Sequence, residues 1–269
     1  MAQPKFRIYS SLLDKFQDLL DYEIVAESPW NKLGDEYKLT PDEMAEKIEL
    51  ELLAMVYREP GIFSEAADKG TCFNEIVDCL IEKRPCRRDD MTIRTLRGDD
   101  GTPIAIEASV HDFTFKYDVA LCRDAASYFK GALTQQFLKA PLGTAYGTVE
   151  LYGYADEWVA DKIYDIKTTG KYDFGKFERK WQRHVYPYCA IESGLTEEVS
   201  EFEYSVYQLN KAPVIGAQFY RETYTYDHAQ STMLLRQMCE RFIEWLLQKD
   251  DEGEITDRKI FNEQQLKSA

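Results

Sequence analysis

Asp156 and Asp165 stand nine positions apart around a single turn signal, and Lys167 follows two residues later. If the chain between Gly153 and Lys167 turns at Ala160 and Asp161, residue 156 falls directly opposite residue 165. Opposed side chains on one sheet face have Cβ atoms about 5 Å apart, and like charges there repel. Alternation along a strand then puts Asp165 and Lys167 on that face while Ile166 points to the other. Two facing acids with a lysine beside them predict a divalent cation site in a β-hairpin. The acid–lysine spacing alone says little, because Glu36/Lys38, Glu178/Lys180 and Asp257/Lys259 repeat it in polar or helical stretches. At 165 it is interleaved with Ile163 and Ile166, with Trp158 and Val159 across the turn, as in a strand buried on one side. Spacing by itself leaves a solvated charge cluster and a metal site equally open.

Composition narrows the remaining classes. A 269-residue chain that is 44% hydrophobic, with 18 Tyr and 14 Phe, can bury one large core. No run approaches the roughly 20 apolar residues of a membrane span, and the first residues lack a signal-peptide core, so a cytoplasmic protein with no membrane contact is expected. Three scattered histidines and six cysteines without a C-x-x-C pair argue against a zinc framework. Cys72, Cys79 and Cys86 read as reduced packing residues. A net charge of −15 opposes general affinity for phosphate backbones. Two segments run against it: residues 83–97 and 162–184 each carry a local charge of +4. The second follows the acidic hairpin directly, where a nucleic-acid phosphate would lie.

The periodicities predict an amphipathic helix over 10–21 and a helix from about 41 to 58 opened by Thr40 and Pro41. Another spans about 63–83, with the stripe Phe73, Ile76, Val77, Leu80 and Ile81. Alternation at 91–97, 103–109 and 112–118 predicts a three-stranded meander. A helix over 122–139, the hairpin over 149–167, a helix over 174–193, strands at 201–209 and 214–226, and a last helix over 227–248 follow. On the 174–193 helix Gln182 and Tyr186 share a face, Arg179 and Arg183 form a neighbouring row, and Pro187 should kink it. The order implies an α/β fold with a mixed sheet between helices. We expect one domain: a helical N-terminal elaboration over 1–60, a core over 63–226, and a C-terminal helix and tail over 227–269.

Gly153-Tyr154-Ala155-Asp156, then Tyr164-Asp165-Ile166-Lys167-Thr168-Thr169-Gly170, then Gln182 and Tyr186 together resemble the PD-(D/E)xK nuclease superfamily in its RecB-like, phage-exonuclease branch. Lys69-Gly70-Thr71-Cys72-Phe73-Asn74-Glu75 looks like that family's glycine–threonine helix start, and Ile8 to Asp14 is similar to its opening serine–leucine segment. The resemblance implies a restriction-endonuclease-like core and metal-dependent cleavage of DNA phosphodiester bonds. It assigns Asp156, Asp165 and the carbonyl of Ile166 as ligands of Mg²⁺ or Mn²⁺, and Lys167 as the group that orients or helps deprotonate water. Gln182 and Tyr186 would hold the scissile strand or support the ligands. Lys171, Arg179 and Arg183 would contact DNA. It further implies a phage-type exonuclease of recombination or end processing, with a recombination partner protein and homo-oligomers among its relatives' habits. Asn74 stands where the family has a ligating histidine. The helical wheel turns Asn74, or Asp78 one turn later, toward the cation and Glu75 toward solvent, and an amide ligand predicts weaker metal affinity. A nuclease-like fold that binds DNA or a protein without cutting is the competing expectation.

Overall fold

The computed structural model describes residues 4–34, 36–61, 64–255 and 258–261. Position 63, at the start of the expected third helix, and the tail 262–269 lie outside the described residues.

The chain opens with β1 (Phe6–Tyr9) and runs straight into α1 (Ser10–Leu20) and the short α2 (Tyr22–Ala26). A two-residue pairing of β2 (Lys32–Leu33) with β3 (Glu36–Tyr37) precedes α3 (Pro41–Val56). A capping box starts α3: Thr40 Oγ1 accepts from Glu43 N at 3.3 Å, and Glu43 Oε2 accepts from Thr40 N at 2.8 Å. Its buried stripe is Met44, Ile48, Leu52 and Val56, one residue per turn. Ser64 caps α4 (Glu65–Glu82), which stops at Lys83 in the left-handed conformation. The meander forms as β4 (Met91–Arg97), β5 (Pro103–Val110) and β6 (Phe113–Tyr117), a separate antiparallel sheet. Then come α5 (Val119–Tyr128), β7 (Leu133–Thr144), β8 (Gly147–Val159), β9 (Lys162–Thr169), α6 (Gln182–Glu192), β10 (Glu201–Leu209), β11 (Ala217–Thr225) and α7 (His228–Asp251).

The central sheet is mixed and is organised around β8. One edge of β8 pairs with β7, antiparallel, from Leu133↔Trp158 to Thr144↔Gly147. Its other edge is shared: β1 runs parallel to it from Phe6↔Val149 to Tyr9↔Tyr152, and β9 pairs antiparallel from Glu157↔Tyr164 to Val159↔Lys162. Beyond β9 lie β10, parallel, and β11, antiparallel. Residues 153–156 therefore occupy a gap on that edge where neither neighbour pairs. One face of the sheet packs through Leu12, Phe16, Val185 and Phe242 against α1, α6 and α7. The other packs through Phe73, Ile76, Ile106 and Phe129 against α4, α5 and the meander. Ile163 belongs to the first core and Ile166 to the second, which gives β9 the expected alternation.

Three expectations are corrected. The helix expected over 122–139 ends at Tyr128, and 133–144 is a strand. Thr134, Leu138, Ala140 and Leu142 are buried at strand period, Gly131 turns the chain with φ +85°, and Pro141 is accommodated because β7 lies at the sheet's edge. The helix expected over 174–193 begins only at Gln182. Gly175 has φ +83°, residues 173–180 form successive i→i+3 turns, and the buried Glu222 takes hydrogen bonds from Gly175 N and the Tyr172 hydroxyl. Arg179 and Arg183 consequently do not share a helical row. The segment 1–60 is not simply a helical elaboration, because β1 is a strand of the central sheet.

Candidate active site

The turn falls at Ala160 and Asp161, with Ala160 at φ +52°, and it sets the register that aims 156 at 165. Pairing stops one step short. Beyond Glu157↔Tyr164 the strands part, and the Asp156 carboxylate enters the opening, where its Oδ2 accepts from Ile166 N at 2.8 Å. On the β7 side, Gln135, itself at φ +47°, reaches Asp156 Oδ1 at 3.3 Å. Burial and then the charge of Asp165 push the Asp156 carboxyl above its ordinary range, with Lys167 opposing.

Asp165 is 3% exposed. Its Oδ2 meets Lys167 Nζ at 2.5 Å, and its Oδ1 accepts from Gln182 Nε2 at 2.9 Å. Gln182 Nε2 also lies 3.2 Å from the Tyr186 hydroxyl, so the first turn of α6 braces the acid from behind. Gly153 makes this possible: a Cβ there would stand 2.5 Å from Tyr186 Cε1. Gly70 does the same for α4, where a Cβ would fall 2.6 Å from Thr168 Oγ1. Burial alone would depress the Lys167 amine, but Asp165, Asp156 and Asp14 outweigh it and raise its pKa. The ammonium therefore keeps its proton at neutral pH. In that form it can donate a hydrogen bond or offset negative charge. Asp14 on α1 also accepts from Trp181 N at 2.7 Å, tying α1 to the start of α6.

A polar cavity of about 360 Å³ opens beside Asp156, lined among others by Asn74, Glu75, Asp78, Arg88 and Gln135. Asn74 Oδ1 and Asp78 Oδ1 are buried there without hydrogen-bond partners. Thr71, Asn74, Glu75 and Asp78 of α4 all line this cavity with Asp156. Glu75 is not turned to solvent. It is 8% exposed and accepts from Arg84 at 2.6 Å and Arg87 N at 3.0 Å, because the left-handed Lys83 folds the following chain back over α4. Glu157, fully buried and paired with the Asp78 carboxyl, is a further acid at this place. Burial, followed by the charge of Asp78, raises its carboxyl strongly. Glu157 pairs with Tyr164 beside the second core, whereas Val149, Leu151 and Ala155 of the same strand belong to the first, so strand alternation does not mark it.

The donors around the cavity are all oxygens, which suits a hard divalent ion. Among the described residues no three His, Cys, Asp or Glu side chains form a ready ligand set. A cation would need the Asn74 amide or a backbone carbonyl to complete its shell. Of the expected DNA contacts, Lys171 is exposed on the loop after β9, 3.4 Å from Asp173. Arg179 is ion-paired with Asp21, and Arg183 lies over the Tyr224 ring at 4.4 Å. Arg88, at the mouth of the cavity, is a cation the sequence reading did not single out.

No family model matches this chain, and none of the curated proteins does. Among solved structures, it is similar to a "Putative exonuclease" from Eubacterium rectale at 14% identity, over 94% of this chain and 84% of that one, with a TM-score of 0.42. It is also similar to SSO0001 at 10% identity, over 89% and 78%, with a TM-score of 0.38. Likeness at this level assigns no role to any residue. No helix among the described residues is long and apolar enough to cross a membrane.

Proposed function

We propose that this chain is a divalent-metal-dependent DNA nuclease with a restriction-endonuclease-like core. One observation carries the reading: Asp156 and the Asp165–Lys167 pair converge where β8 and β9 cease to pair, and an unbonded Asn74 oxygen faces the cavity that Asp156 lines. Asp156, Asp165, the Asn74 amide oxygen and the Ile166 carbonyl would hold Mg²⁺ or Mn²⁺. A bound ion supplies Lewis acidity toward the phosphate and lowers the pKa of water. The chain's own residues do the rest. Gln182 and Tyr186 fix the Asp165 carboxylate, Asp156 is held by the Ile166 N–H, and the Lys167 ammonium orients a water or offsets charge on the phosphate. Exonucleolytic action, a phage-type recombination role with a partner protein, and homo-oligomers rest on the family resemblance.

The test is degradation of linear DNA in Mg²⁺ or Mn²⁺. The native chain should degrade it, and Asp165→Ala and Lys167→Ala should abolish degradation. Cleavage persisting in those variants, or in excess chelator, overturns the reading. A gel shift with binding but no cleavage in any divalent ion replaces it with the binding-only alternative.

A further inference from the structure

The gap at residues 153–156 is bordered on the protein surface by aromatic rings. Tyr9 and Tyr152 have centroids 5.7 Å apart, Tyr152 and Phe137 6.4 Å, and Phe137 and Tyr154 5.0 Å, a series crossing β1, β8 and β7. Tyr154 is 56% exposed and Phe137 44%. Against this row lies a cavity of about 490 Å³, lined among others by Tyr9, Ser10, Arg58, Tyr152, Tyr154 and Tyr186. Tyr186 joins the cavity to the candidate active site, since its hydroxyl also contacts Gln182, the residue that holds Asp165.

Charge fits an anionic strand beside these rings. Arg7 lies 5.0 Å from the Tyr152 ring centroid and pairs with Glu150 at 2.8 Å; Lys139 is 4.0 Å from the same carboxylate. With Arg58 and Glu59 at the cavity, three cations face two carboxylates, in a chain whose net charge is −15. Exposed rings stack on any base because every base has a π face, and neighbouring cations take the phosphates. A base inside a duplex has both faces covered by its neighbours. Only an unpaired base can lie on this row.

We propose that the cleft between β1, β8 and α6 seats an unpaired nucleobase next to the phosphate to be cut, so that the substrate class is DNA with single-stranded character at the site; this rests on the nuclease reading above. Tyr154 and Phe137 form the platform, and Arg58 takes the adjoining phosphate.

The experiment is fluorescence anisotropy in excess chelator, which removes cleavage from the measurement. The probes are a labelled oligothymidylate and a blunt duplex of equal length. The native chain should prefer the single strand. Tyr154→Ala and Phe137→Ala should each weaken that binding roughly tenfold, while Tyr154→Phe, which keeps the ring, should bind as the native chain does. Native-like affinity in both alanine variants, or preference for the duplex, overturns the proposal. Ring-dependent binding of the single strand by a protein that cuts no DNA in Mg²⁺ or Mn²⁺ supports the cleft and removes the nuclease reading, so the two failures are distinguishable.

Discussion

The backbone N–H of Ile166 donates to Asp156 Oδ2 at 2.8 Å, at the point where β8 and β9 cease to pair. A side chain replaces a rung of the ladder, and it carries a charge that burial and Asp165 both disfavour. Asp165, by contrast, has Lys167 at 2.5 Å. Neutralising the two acids should therefore have opposite effects on the metal-free chain. Asp156→Asn keeps an oxygen for Ile166 and relieves repulsion, which should stabilise by roughly 1 kcal/mol, the equivalent of one pKa unit. Asp165→Asn leaves a half-buried ammonium without its nearest partner. Breaking a buried pair costs about 3–5 kcal/mol, and with Lys167 24% exposed at its side chain about 2 kcal/mol is expected. Urea denaturation at pH 7.5 in excess chelator checks both signs; equal destabilisation by the two variants would rule out repulsion between these acids.

Gly153 and Tyr186 should be energetically coupled. An added Cβ at 153 would stand 2.5 Å from the ring, so Gly153→Ala must displace Tyr186 and with it the brace on Gln182. Overpacking of this kind costs about 1–3 kcal/mol. In a Tyr186→Ala background the same change should be nearly free. A double-mutant cycle measures the difference, and additivity would show that Tyr186 does not impose the glycine.

How far the sequence could be read follows from the range of each cause. The turn at Ala160 and Asp161 and the stripe of α3 are local patterns, and the structure has both, while the hairpin register ends at Glu157↔Tyr164, one pair short of 156 and 165. What escaped depends on distant partners. Residues 173–180 leave the helix because Glu222, 47 residues from Gly175, captures the Gly175 N–H and the hydroxyl of the preceding Tyr172. Leu133–Thr144 becomes a strand because β8 offers an edge. Glu75 turns inward because Arg84 comes back over α4. Helical spacing groups Arg179 with Arg183, yet its partner is Asp21, 158 residues away in the sequence.

Replacing Asn74 by histidine should strengthen metal binding. Asn74 Oδ1 is buried, lacks a hydrogen-bond partner and shares the cavity with Asp156, so a ligand at this position can reach a cation there. A neutral imidazole nitrogen is a stronger electron-pair donor than a neutral amide oxygen, and a gain of roughly tenfold in affinity corresponds to about 1.4 kcal/mol. Isothermal titration with Mn²⁺ compares Asn74→His with the native chain. Unchanged affinity would remove Asn74 from the shell.

Acid sensitivity should have an identifiable source in His184. Its Nδ1 lies 3.0 Å from Ser231 Oγ on α7, and burial, followed by the Arg183 charge, lowers its pKa from 6.5 to about 4. Between those values the unfolded chain binds a proton that the folded chain refuses. The neutral ring's contribution is complete above pH 6.5 and is lost as pH falls toward 4. A depression of this size corresponds to about 3 kcal/mol. Carboxylates add slopes of their own over the same range, so the informative quantity is the native chain minus His184→Gln, which has no such proton to gain. Measured by urea denaturation at pH 7.5 and again at pH 4.5, that difference should shift by about 3 kcal/mol against the native chain. A difference independent of pH would mean that His184 titrates in the folded protein as it does in the unfolded one.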